Sequence, residues 1–119
     1  MIEETITKKL FDAVTIVASG DEESEVIDLT KMEGFFRSQI NVSGDGTCKV
    51  EWLESINDGT DWFDSYADLA NGLDKTSGPA LDGKSLMDIT VDLSSKGKVL
   101  ITETGGVQPV TVSFWLLTR

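Results

Sequence analysis

The sequence predicts an all-β protein, an antiparallel, jelly-roll-like β-sandwich of about eight short strands. Three observations carry this. Apolar and polar residues alternate with period two over most of the chain. Clusters of Gly, Asp, Asn, Ser and Pro interrupt that alternation at short intervals. The length, 119 residues, suits one core but not two. Residues 1–12 read as an N-terminal arm or first strand, and residues 13–119 as a single sandwich domain.

Taken in order, Ile2, Ile6 and Leu10 have helical spacing, yet Thr5 and Thr7 suit an extended arm equally well. Val14, Ile16 and Ala18 alternate as a strand. Ser19 to Ser24 is a solvated acidic turn, and Val26 to Leu29 is a short strand. Met32-Glu33-Gly34 leads into the most regular stretch. There Phe36, Ser38, Ile40 and Val42 alternate with Arg37, Gln39, Asn41 and Ser43. Ser43-Gly44-Asp45-Gly46-Thr47 supplies glycines for a tight reversal, and Cys48, Val50 and Trp52 resume the alternation. The expectation is a β-hairpin, closed by a second turn running from Ser55 to Trp62. Phe63 to Lys84 reads as one long loop. Tyr66, Leu69, Ala70 and Leu73 fit a turn or two of helix from Ser65 to Asn71, which Gly72 would end. Met87, Ile89, Val91 and Leu93 mark the next strand, Lys98 to Thr104 another. Val110, Val112, Phe114 and Leu116 form the inner row of the last.

Composition removes several function classes. Histidine is absent, and with it the commonest general base and transition-metal ligand. The single cysteine, Cys48, allows no internal disulfide and no cysteine zinc site; its place on the apolar row makes it a core thiol. A net charge of −11 without a basic cluster opposes binding to nucleic acid or to an anionic membrane. No apolar run approaches the ~20 residues of a membrane span, and the N-terminus lacks a signal-peptide pattern. Synthesis in a reducing cytoplasm is the expectation.

The acids Asp58, Asp61, Asp64 and Asp68 crowd one turn beside Asn57. Calcium takes six to eight oxygens, but Gly59 comes too early for an EF-hand loop and no glutamate closes it. A solvated turn is the preferred reading, with no metal and no cofactor. Carboxylate pairs of a glycosidase kind arise by chance in so acidic a chain, so no enzyme is expected. Of the tryptophans, Trp52 falls on the inner row. Trp62 follows the acidic turn, where it would stack on a sugar or pack over the end of the sandwich. Alternation places Trp115 and Leu117 on the outer row of the last strand. They would meet a partner there, or be covered by Ile6 or Leu10 of the arm.

Three segments resemble small β-sandwich proteins of tailed bacteriophages and prophages. They are Ile27-Asp28-Leu29 through Gly34 followed by the Gly44-Asp45-Gly46-Thr47 hairpin, Ser55 to Trp62, and Ile101-Thr102-Glu103-Thr104-Gly105-Gly106 leading into Val110 to Leu116. The resemblance implies a non-enzymatic structural or accessory protein, held in the bacterial cytoplasm before assembly and in the virion after it. Its partners would be other copies of itself or other virion subunits. The Ser55 to Trp62 segment is also similar to one in discoidin-like, galactose-binding sandwiches, so a carbohydrate-binding module is the alternative. In those domains the segment is a structural turn, and no ligand role passes to Asn57, Asp58 or Trp62.

Overall fold

The computed structural model describes residues 6–30, 34–91 and 94–118. Ile2 to Thr5 of the arm, Met32, Glu33 and Leu93 lie outside them, as do the side chains of Ile6, Tyr66, Asp68 and Val91. Among the described residues nine strands are formed: β1 (Ile6–Ile16), β2 (Asp21–Glu23), β3 (Ile27–Asp28), β4 (Gly34–Gly44), β5 (Cys48–Ser55), β6 (Phe63–Leu73), β7 (Lys84–Val91), β8 (Lys96–Glu103) and β9 (Val110–Thr118). The first sheet has the order β1-β9-β4-β7. The second has the order β2-β8-β5-β6, with β3 also pairing β8. All pairings are antiparallel. From β4 onward every connection except β5–β6 changes sheet, so the two antiparallel sheets form a β-sandwich.

The hairpin expected from Phe36 to Trp52 is therefore corrected. β4 pairs with β9 and β7, whereas β5 pairs with β8 and β6. The two alternating rows face each other across the core instead of lying side by side. Phe36 meets Trp52 edge to face, with ring centroids 6.2 Å apart. The glycines of the connection serve this crossing. Gly46 donates its N–H to Pro109 O, and a Cβ at Gly46 would lie 2.8 Å from that oxygen, so only glycine lets the two backbones meet.

The long loop with a short helix is the second correction. Its first half is β6, an eleven-residue edge strand. Tyr66, Ala70 and Leu73 are the Cα partners of Trp52, Val50 and Cys48, which stand two apart on β5. Register shifts between these pairs insert extra residues into β6. A strand bulged twice in succession thus shows the three-to-four-residue spacing of a helix.

The core contains Phe36, Ile40, Val50, Trp52, Ile89, Val99, Ile101, Val110, Val112, Phe114 and Leu116, each with no exposed surface. Phe11, on β1, meets Phe114 edge to face at 6.4 Å. At one end of the core sits an acid, Glu103, 1% exposed. One of its oxygens accepts from the backbone N–H groups of Ser19 (3.0 Å) and Gly106 (2.7 Å). The other accepts from Thr47 (2.9 Å) and Gly105 (2.8 Å). Three connections, β1–β2, β4–β5 and β8–β9, are tied to one carboxylate.

Cys48 is fully buried. Burial, with the charges of Glu103 and Asp74 adding to it, pushes the thiol up to about 12. It is expected to resist a thiol reagent in the native protein and to react when denaturant is added. Rapid labelling without denaturant would show that β5 presents its other face to the core.

Candidate functional site: the outer face of the first sheet

Because β9 pairs with both β1 and β4, and β4 with β7, the outer face of the first sheet can be laid out in rows. One row runs Thr7, Leu117, Arg37, Asp88 and the next Lys9, Trp115, Gln39, Leu86. Along β9 and β4 follow Ser113 beside Asn41, with Lys84 beyond, and then Thr111 beside Ser43. One end of the face sets Trp115, Leu117 and Leu86 among charged and polar side chains, and the other is largely hydroxyl and amide.

At the apolar end Trp115 and Leu117 point outward, as the alternation of β9 requires. Trp115 is half-buried, Leu117 is 37% exposed and Leu86 59%. The residue of β1 over the indole is Lys9, whose Nζ lies 4.9 Å from the ring centroid. Leu10 packs against the core instead, so it does not cover Trp115. Among the described residues the cations of the face are each matched by an anion. Lys9 lies 2.7 Å from Asp12, Arg37 3.2 Å from Asp88 and Lys84 4.0 Å from Asp82. In a chain of net charge −11 the described residues of this face are locally neutral.

At the polar end Ala13, Asn41, Val42, Ser43, Asp82, Lys84, Thr111, Val112 and Ser113 line a shallow cavity of about 290 Å³. One wall is made by a bulge in β1 between Phe11 and Val14. There Ala13 takes a φ of 50°, unusual for a residue with a Cβ, and donates its N–H to Ser113 Oγ at 2.9 Å. The other wall is the turn before β7. Gly83 O accepts from Val42 N at 2.8 Å, and Gly83 N donates to Ser77 O at 2.8 Å. A Cβ on Gly83 would lie 2.2 Å from Val42 O. Glycine is what lets this turn press onto β4 and carry Asp82 to the sheet.

The turn from Ser55 to Trp62 lies elsewhere, between β5 and β6. Its polar groups satisfy one another. Asn57 accepts from Asp61 N (2.9 Å) and Ser55 Oγ (3.0 Å) and donates to Asp61 Oδ2 (2.8 Å). Asp58 takes a left-handed φ of 61°, donates its N–H to Ser95 Oγ and stands 3.6 Å from Lys96. Trp62 is half-buried, with Lys98 Nζ 4.3 Å from its ring centroid. The cation occupies a ring face that a sugar would need. Among the described residues no three His, Cys, Asp or Glu side chains are placed to hold a metal ion. Among them, too, no helix is long and apolar enough to cross a membrane.

Sequence reasoning placed Trp115 and Leu117 on this face but missed Leu86, Ala13, Asp82 and Lys84. Leu86 was within reach, because Met87 and Ile89 sit on a strand whose alternation turns Leu86 outward like Trp115. The other three come together only through a bulge and a crossing turn.

No protein-family model and no curated protein matches the sequence. The comparison with solved structures does find the fold. Tripeptidyl peptidase 2 superposes with a TM-score of 0.62 at 8% identity, over 99% of this chain and 10% of that one. Infectious bursal disease virus, Gx strain, gives 0.55 at 14% identity, over 97% of this chain and 31% of that one. The SPBc2 prophage-derived protein YomS gives 0.46 at 14% identity, over 98% and 97%. At such identities the likeness is one of fold. The chain spans a tenth of the tripeptidyl peptidase 2 chain and a third of the viral one.

Proposed function

We propose that this chain is a non-enzymatic structural or accessory protein of a phage or prophage virion, acting through protein–protein contacts made by the outer face of the first sheet. The observation that carries the reading is a neutral, partly apolar face on a strongly acidic molecule. Trp115, Leu117 and Leu86 stand together there, and among the described residues each cation of the face is paired with an acid. Two copies of a −11 chain repel each other over most of their surface. They can approach most closely where that charge is cancelled. Large apolar side chains grouped on an outer face are what such a contact would bury, at about 25 cal/mol per Å² before the cost of association. The resemblance of the strand and turn segments to phage sandwiches supplies the setting.

Sedimentation velocity at low and moderate salt tests this. The wild type is expected to self-associate, more strongly as salt screens the net charge. Trp115→Ser is expected to return it to a monomer with an unchanged fold. A wild type that stays monomeric at high protein concentration and in both salts would overturn the reading of a self-association face.

A further inference from the structure

We infer that the polar end of the same outer face, between the β1 bulge and the turn before β7, is a binding site for a single neutral sugar ring. The lining supports this by its chemistry. Three hydroxyls (Ser43, Thr111, Ser113), one carboxamide (Asn41), one carboxylate (Asp82) and one ammonium (Lys84) converge on a volume of about 290 Å³. That is near the lower bound of small-molecule sites, about 300 Å³, so the cavity has room for one ring and not for a chain of them. One positive and one negative group cancel, which suits neither a phosphate nor a cation. A vicinal diol fits the set: its O–H groups donate to Asp82, while its oxygens accept from Asn41 and Lys84.

The groups are held ready before a ligand arrives. Ser113 Oγ accepts from Ala13 N, which leaves its own O–H free to donate. Asn41 Oδ1 accepts from Gln39 Nε2 at 2.9 Å, which leaves the Asn41 amide N–H groups as donors. Thr111 and Thr15 share a hydrogen bond of 3.1 Å. Gly83, pinned to Val42, fixes the backbone on either side of which Asp82 and Lys84 stand. A strained non-glycine residue, Ala13, borders the cavity, and backbone strain is kept where surrounding structure demands it. The Ala13 methyl offers the apolar contact that the C–H face of a sugar requires. This site is separate from the Trp62 turn. It makes no use of Trp115, the residue on which the test of the contact proposed above turns.

The test is a titration of the ¹⁵N-labelled full chain with free monosaccharides (glucose, galactose, mannose, xylose, rhamnose and N-acetylglucosamine), followed by amide shifts. The expected result is a saturable shift with at least one of them, centred on Ala13, Asn41, Ser43, Lys84, Thr111 and Ser113. Asp82→Ala and Lys84→Met, checked for an unchanged spectrum elsewhere, are each expected to weaken it about tenfold or more. Trp62→Ala and Trp115→Ser are expected to leave it in place. No saturable shift with any of these sugars would overturn the proposal. So would shifts centred on Trp62, or binding indifferent to Asp82→Ala and Lys84→Met. Because Trp115→Ser separates self-association from sugar binding, failure of one reading is distinguishable from failure of the other.

Discussion

Trp52→Ala is expected to lower stability by about 3–5 kcal/mol, the range for truncating a large aromatic in a close-packed core. Trp52 has no exposed surface, meets Phe36 edge to face across the sandwich, and lies against the backbone of β8. At that contact a Cβ on Gly97 would come within 2.5 and 2.6 Å of the Cζ2 and Cη2 atoms of the indole. Gly97→Ala alone should therefore cost about 1–3 kcal/mol by overpacking, since a fully buried ring has nowhere to move. In a Trp52→Ala background the added methyl meets a cavity instead, and the same change should be close to neutral. Urea denaturation of the two single variants and the double variant measures this coupling. Additive losses would mean that the ring and Gly97 are not in contact. Among the described residues the indole N–H has no acceptor. Trp52→Phe should therefore cost clearly less than Trp52→Ala, because it removes an unsatisfied buried donor along with the lost contacts.

What could be read from the sequence was the orientation of each strand, not its neighbours. The inner rows Phe36-Ser38-Ile40-Val42, Cys48-Val50-Trp52 and Val110-Val112-Phe114-Leu116 face the core as their alternation requires. Period two fixes which side of a strand is buried. It is the same whether the next strand pairs beside it or faces it across the core, and Ser43 to Thr47 contains turn residues suited to either. That is why the sequence alone reads as a hairpin over β4 and β5. β6 was hidden for a different reason, since its bulges replace the strand period with a helical one. The outward Trp115 and Leu117 were legible because one strand carries both. The polar cavity was not, because Ala13, Asn41, Asp82 and Ser113 come from four separate elements and none is distinctive alone. Glu103 lies between these cases. Val99 and Ile101 set an inner row whose next member is an acid, a visible anomaly. Sequence cannot supply the four N–H groups that explain it.

Those four N–H groups give the second large expected effect. With both oxygens of Glu103 accepting, the hydrogen bonds from Thr47, Ser19, Gly106 and Gly105 hold its carboxyl well below the ordinary 4.5, at about 2, against a smaller opposing push from burial. The proton therefore binds the unfolded chain at a higher pH than it binds the folded one. The stability that ionised Glu103 contributes is fully present above pH 4.5 and is lost as pH falls toward 2. Glu103→Gln keeps the size of the side chain but replaces an oxygen that accepts two N–H groups with an NH₂ that cannot accept. At neutral pH it is expected to lower the melting temperature more than the same change at an exposed acid such as Glu22. Since glutamine does not titrate, the gap between wild type and Glu103→Gln should stay constant above pH 4.5 and narrow below it. Glu103→Ala should be at least as damaging, because it releases the β1–β2, β4–β5 and β8–β9 connections together. Protection of the Ser19, Thr47, Gly105 and Gly106 amides from hydrogen exchange should fall in both variants. A gap that does not narrow in acid, or exchange that rises at only one of the three connections, would mean that the carboxylate does not clasp the end of the sandwich.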